Sequence, residues 1–267
     1  MNTMELCRTA REIRRETLKL IREALVPHVG SCFSIVELLT ALYFDVLDLD
    51  GAPHIVRDTF ILSKGHASAV LYVTLAKRGL LPVDLLKTFA RNGGRLGCHP
   101  NFNPAWGIDA TTGSLGHGLS LGVGLALGKR MNRIHSRVVV LMSDGELNEG
   151  SNWEAIMFAG HHGLNNLVGI VDCNKLQALG PTHDIINLEQ LEEKWRAFGW
   201  AVRRIDGHDM GAVVAAFRAL PFAPDRPSCI IADTVKGKGV SFMENNVLWH
   251  YRCPDDREFA MAVEELR

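Results

Sequence analysis

An α/β fold, a doubly wound parallel sheet flanked by helices, is predicted by three features of the 267-residue chain. Two continuous apolar runs, RVVVLMSD (137–144) and NLVGIVDCN (166–174), read as strands buried on both faces. A helical stretch at 150–163 lies between them, which makes a βαβ unit. Strand and helix patterns then alternate to residue 234, the signature of a parallel sheet.

The elements follow in order. Residues 4–26 place Leu6, Ala10, Ile13, Thr17, Leu20 and Ile21 on one helical face, with Arg and Glu opposite. Pro27 to Gly30 breaks that helix. Ser34 with Glu37 three residues on reads as a capping box for a second helix. TFILS (59–63) is a short strand ending at Lys64-Gly65, and a helix follows to about Arg78. Pro82 opens another short helix. Residues 91–118, rich in Gly, Asn and Pro, form a connection long enough to predict a functional loop. A helix covers 116–132. After the βαβ unit come a helix at 188–198, a strand at 200–205, a helix at 209–220 and a strand at 228–234. No repeat or linker divides the chain, so 1–267 is expected to be one domain, with a helical segment over about 1–50 and a short C-terminal tail.

Composition narrows the function. With 29 Lys+Arg against 30 Asp+Glu the net charge is -1. That balance argues against a nucleic-acid binder and against a polybasic membrane anchor. Glycines break the longest apolar stretch, Leu119 to Leu127, well below a membrane span, and the charged N-terminus does not read as a secretory signal. Six scattered cysteines without a CxxC predict reduced thiols in a cytoplasmic protein and no zinc site.

Ligands of open α/β sheets bind at the carboxyl ends of the strands. Here one strand ends in Ser143-Asp144-Gly145 and the next in Asp172-Cys173-Asn174. An Asp-Gly alone is a common turn. In a βαβ unit, however, Asp144 and Asn174 emerge at the same sheet edge. A carboxylate and an amide oxygen suit Mg²⁺ completed by phosphate oxygens and water. Gly145 would admit a diphosphate next to a helix N-terminus.

SDGELNEG, followed some thirty residues later by DCNK, resembles the thiamine diphosphate fingerprint, and EGSNWEA is similar to transketolases in particular. SKGHAS (63–68), LGCHP (96–100), TTGSLGHG (111–118) and PHVG resemble further segments of that family, and the match covers nearly the whole chain. The resemblance implies transfer of a two-carbon ketol unit from a ketose to an aldose, with phosphorylated sugars as substrates. It implies thiamine diphosphate and Mg²⁺ (or Ca²⁺ or Mn²⁺ in its place) as cofactors. It implies Asp144, Asn174 and the Leu176 carbonyl as metal ligands, and His66 and Gly145 at the diphosphate. Gly113 and Leu115 would lie along the cofactor. His28, His99 and His250 would line the substrate site, and Glu149 would communicate between the two active sites of a dimer. Lys236 and Lys238 of VKGKG are candidate phosphate-side charges. Ser143 stands where the family has glycine, and His117 where it has glutamine. The remaining histidines, His54, His135, His161, His162, His183 and His208, are read as surface or satisfied polar groups.

Full-length relatives carry a pyrimidine-binding domain that this sequence lacks. The resemblance therefore implies the N-terminal subunit of a split transketolase. Its partner would be a C-terminal subunit carrying that domain, in an α2β2 assembly. Two other readings remain: the α subunit of a 2-oxo acid dehydrogenase or acyloin-type enzyme, and a non-catalytic cofactor-binding module. TTGSLGHG and LGCHP favour the first reading, and intact Asp144, Asn174, His66 and His99 argue against the last.

Overall fold

The computed structural model describes residues 1–49 and 54–267. The far end of the expected N-terminal helical segment, at residue 50, lies outside them.

Five parallel strands form one sheet in the order β1-β2-β3-β5-β4. They are β1 (Thr59–Leu62), β2 (Val138–Ser143), β3 (Leu167–Cys173), β4 (Ala201–Asp206) and β5 (Ser228–Asp233). Because side chains alternate across a strand, each strand feeds two cores. Phe60, Leu62, Val139, Leu141, Val168, Ile170, Ile230 and Ala232 face one core. Ile61, Val138, Val140, Met142, Leu167, Val171, Cys229 and Ile231 face the other. This two-sided burial is why β2 and β3 read as unbroken apolar runs, and it bears out the doubly wound sheet.

The first core is covered by α1 (Thr3–Ala24), α2 (Val29–Phe33), α3 (Val36–Ala41), α4 (Ser68–Arg78) and α9 (Met210–Arg218). The second is covered by α5 (Gly118–Met131), α6 (Gly150–His161) and α8 (Leu191–Ala197). A single turn, α7 (Thr182–Ile185), precedes α8. The chain visits the edge strand β4 before returning through α9 to insert β5 beside β3.

Two local expectations fail. Ser34 ends α2 and does not cap α3, whose N-cap is Ile35. The Ser34 hydroxyl instead donates to Asp172, and both Glu37 oxygens accept from Arg14 Nη2, at 2.6 and 2.8 Å. Both side chains are drawn into buried polar networks rather than spent on the helix end. The C-terminal tail is also not a tail: Asp256–Glu265 forms α10, opened by a true capping box between Asp255 and Glu258.

Candidate active site

The carboxyl ends of β1, β2, β3 and β5 converge on one edge of the sheet. The loops leaving them line a cleft of about 240 Å³. His66 enters it from the turn after β1, Gly145 from the turn after β2, Asn174, Leu176 and Gln177 from the loop after β3, and Lys236 from the loop after β5. His28 reaches in from the α1–α2 junction and His250 from the turn Val247–His250; Gly113 and Leu115 come from the long connection before α5. Most of the residues predicted to share a site are thus brought together.

Two glycines show why the loops need them. Gly65 packs so closely that an added Cβ would lie 2.8 Å from Thr112 Oγ1 and 2.9 Å from the Gly113 nitrogen. Gly113 has φ +149°, and a Cβ there would press on the His99 ring at 3.0 Å. The loops at 63–67 and 111–116 are therefore held against each other and against His99.

Beneath the cleft floor is a buried charge network. Lys64 and Asp172 are both 0% exposed and pair at 2.6 Å. Lys64 also donates to the Ser31 carbonyl at 2.8 Å. Asp172 accepts from Ser34 (2.8 Å), from Thr234 and from the Asn174 amide (2.9 Å). Burial opposes ionisation of Asp172, but the adjacent Lys64 ammonium overrides it and holds the carboxyl below its usual range. Since the Asn174 NH₂ is committed to Asp172, its amide oxygen is turned the other way, where it accepts from the Leu176 N–H at 3.1 Å.

Asp144 is buried just past the end of β2 and borders a neighbouring cavity of about 230 Å³. Among the described residues its oxygens accept only from backbone N–H groups, of Gly145 at 2.7 Å and Lys175 at 2.5 Å. Burial, and then the Asp172 charge, push its pKa up to about 7. A carboxylate buried without an ion-pair partner among the described residues is suited to a cation. With the Asn174 amide and the Leu176 carbonyl it offers a hard-oxygen donor set, which fits Mg²⁺ or Ca²⁺. The Leu176 carbonyl accepts from Lys236 at 3.0 Å. Gln177 lines the same cleft, and its buried amide nitrogen has no hydrogen-bond partner among the described residues. Such an orphaned donor fits an anionic ligand.

The imidazoles form the other end of the cleft. The His28 ring centroid lies 5.1 Å from that of His66 and 5.3 Å from that of His250. Burial, then the positive field of His99, Lys236 and Lys64, lowers the His28 pKa to about 4. His250 falls to about 3, from burial and then Lys236 and His28. His66 is also held well below its ordinary value, by burial and then Lys64. All three rings are neutral near pH 7. Lys236 Nζ and His250 Nδ1 lie within hydrogen-bond distance, at 2.9 Å.

Several expectations are only partly met. His99 is exposed and does not line the cleft proper, although its field reaches His28 and its ring abuts Gly113. Glu149 is exposed at the start of α6, outside the cleft. Lys238 pairs with Glu244 at 3.4 Å and stays outside, whereas Lys236 is buried at the site. His117 also lies outside, on a larger opening beside Leu121. Ser143 lines the cleft and its hydroxyl accepts from the Glu146 N–H at 3.2 Å.

Sequence reasoning misses Glu146, Lys64, Asp172 and Gln177 as site residues. Glu146 is buried and accepts from Ser63, from the Gly116 N–H at 3.0 Å and from the Ser143 N–H at 3.3 Å, so it ties three cleft loops together. His208 is a satisfied polar group as expected: it pairs with Glu37 at 3.0 Å and accepts the Val235 N–H at 2.8 Å.

Residues 7–264 match the family model for the transketolase thiamine diphosphate-binding domain. The chain is 43% identical over 267 residues to the 6-deoxy-6-sulfo-D-fructose transketolase subunit SqwG of Clostridium sp. (strain MSTE9), covering 98% of this chain and 96% of that one. It is 38% identical to an apulose-4-phosphate transketolase subunit of Phocaeicola vulgatus, covering 100% and 94%. Among solved structures, transketolase from Campylobacter jejuni superposes with a TM-score of 0.91 at 26% identity, covering all of this chain and 43% of that one. Transketolase from Leishmania mexicana gives 0.89 at 25% identity, with 100% and 41% covered. The chain thus spans about two fifths of these solved transketolases and nearly all of the two curated relatives.

Proposed function

Since the chain belongs to the transketolase family, as its thiamine diphosphate-binding domain, we propose that it is the N-terminal subunit of a two-subunit transketolase moving a two-carbon ketol unit from a ketose to an aldose. The observation that carries this reading is the meeting, at one sheet edge, of a hard-oxygen metal set with three neutral imidazoles.

Thiamine diphosphate, when bound, supplies a thiazolium carbon and an electron sink for breaking the carbon–carbon bond of the ketose. In this reading Asp144, the Asn174 amide oxygen and the Leu176 carbonyl hold the divalent ion. Lys236, Gln177 and His66 face the diphosphate, and Gly113 and Leu115 line its length. His28 and His250, neutral at pH 7, take protons from sugar hydroxyls or return them, and His99 assists from the mouth. The partner is a subunit carrying the pyrimidine-binding domain, with two copies of each chain, and the sugars are phosphorylated or similarly anionic. Relatives named as transketolase subunits support this assignment. The compartment in this reading is the cytoplasm, which the six free thiols support. Among the described residues no helix is long and apolar enough to cross a membrane.

The test is reconstitution. The purified chain with saturating thiamine diphosphate and Mg²⁺ is expected to give no ketol transfer. Adding the partner restores transfer and enlarges the particle in size-exclusion chromatography. Robust transfer by the chain alone refutes the split-enzyme reading.

A further inference from the structure

We propose that Tyr251 contacts the sugar and sets which ketoses the site accepts. This rests on the transketolase reading above. None of the roles assigned so far falls on this residue, yet it stands on the lip of the cleft directly after His250. Its ring centroid is 4.6 Å from that of His250 and 5.8 Å from that of His28, the two imidazoles assigned to proton transfer.

A tyrosine that is 66% exposed contributes little to the core, and its phenol makes no hydrogen bond among the described residues. It is nevertheless not free to wander. Its N–H donates to the Leu248 carbonyl at 3.3 Å. On one side Trp249 is buried and donates from its indole to the Phe242 carbonyl at 2.9 Å. On the other, Arg252 folds back over the Trp249 ring at 5.1 Å. The backbone that carries this large side chain is thus held at a fixed point of the rim, beside the His250 and His28 rings.

The chemistry of that side chain selects the ligand. A phenol ring offers a flat apolar face, and its hydroxyl both donates and accepts. A ketose chain presents the matching pair, C–H faces and hydroxyls. The anionic end of the cofactor calls for cations and N–H donors, which Lys236 and Gln177 already present. Tyr251 therefore forms the wall beside His28 against which the sugar lies, and its bulk limits the length and substitution of the donor.

The experiment compares wild type, Tyr251→Phe and Tyr251→Gly in the complex assembled with the partner. Donors are xylulose 5-phosphate, fructose 6-phosphate, 6-deoxy-6-sulfofructose and fructose. Thiamine diphosphate affinity is measured separately by calorimetry without sugar. Tyr251→Gly is expected to change the ratio of kcat/KM between donors by about tenfold or more, mainly through KM, while Tyr251→Phe changes it less. Cofactor affinity and elution volume stay as in wild type. An unchanged donor ranking overturns the inference. So does a loss of cofactor affinity, which would make Tyr251 a cofactor contact, or a loss of assembly, which would make it a partner contact. Wild-type complex inactive on every donor overturns the transketolase reading itself, and the inference falls with it.

Discussion

Replacing Lys64 by Met should be among the most damaging single changes outside the apolar core. Lys64 and Asp172 are fully buried and in contact at 2.6 Å. Removing one member strands a charge where water cannot reach it. Breaking such a pair costs about 3–5 kcal/mol, which for a chain of this size lowers Tm by about 6–20 °C. Asp172→Asn should fall in the same range, because it leaves the Lys64 ammonium facing an amide. The double variant Lys64→Met/Asp172→Asn removes both charges and should recover much of the loss, giving a coupling of about 2 kcal/mol or more.

Urea denaturation of the four proteins at pH 7.5 measures the cycle. The same proteins should be titrated with thiamine diphosphate in the presence of Mg²⁺. Asp172 holds the Asn174 NH₂ and so points its amide oxygen. An outer partner of this kind is worth about 10–100-fold in affinity. The double variant should therefore regain stability more fully than it regains affinity. Single variants that each cost under about 1 kcal/mol, as a solvent-exposed pair would, refute the reasoning. So does strict additivity in the double variant.

Three further outcomes are expected. Asp144→Ala should weaken thiamine diphosphate binding by about 100-fold or more while the fold survives, because it removes the one carboxylate of the donor set; calorimetry checks this, and unchanged affinity sinks the assignment. His99→Ala should lower turnover with ketose donors by about 100-fold and leave cofactor affinity nearly intact; equal losses would make it a structural or diphosphate residue. The pH dependence follows from His28 and His250, held at about 4 and about 3 against an ordinary 6.5. The unfolded chain binds protons first as pH falls, so their effect on stability is nil above about 6.5 and grows unfavourable from there down to about 4. Asp144, raised to about 7, works in the opposite sense, so the test is differential: His28→Gln/His250→Gln should lose less Tm than wild type between pH 7.5 and 5. An identical loss in both proteins would contradict the depressed values.

How much of this is legible in the sequence depends on the range of the interaction. Buried parallel strands announce themselves locally, because both faces of β2 and β3 must be apolar, and their bounds read from the sequence to within one position at each end. Asp144 and Asn174 are legible for a related reason: each sits at a strand end whose spacing is set by the sheet, whereas His66 and Gly113 are read from the family resemblance of their segments. The C-terminal helix α10 is also signalled, by Asp255 and Glu258 three apart and by the apolar run at 259–263. Ser34 and Glu37 show the reverse error. Their spacing matches a local capping box, yet Asp172, 138 residues away, and Arg14 claim the two side chains.

That competition explains which site residues stay hidden. Lys64 lies within a recognised segment and Asp172 within another, but nothing in either segment says that they meet. A lysine in SKGHAS and an aspartate in DCNK each look like exposed charges until the β1–β2–β3 order brings their strand ends to one edge. Glu146 is similar: it belongs to the turn after β2, but the groups it ties come from β1 and from the long connection before α5. The same reasoning bears on Asp144. Its carboxylate is legible as a ligand from spacing alone, whereas the stress on it comes from burial and from the Asp172 charge. Lys64 pairs with Asp172, which leaves Asp144 and Glu146 as the buried carboxylates at this edge without an ion-pair partner among the described residues. Glu146 is tied to three loops by its hydrogen bonds, whereas Asp144 stands beside the Asn174 and Leu176 oxygens, where a divalent ion would complete it.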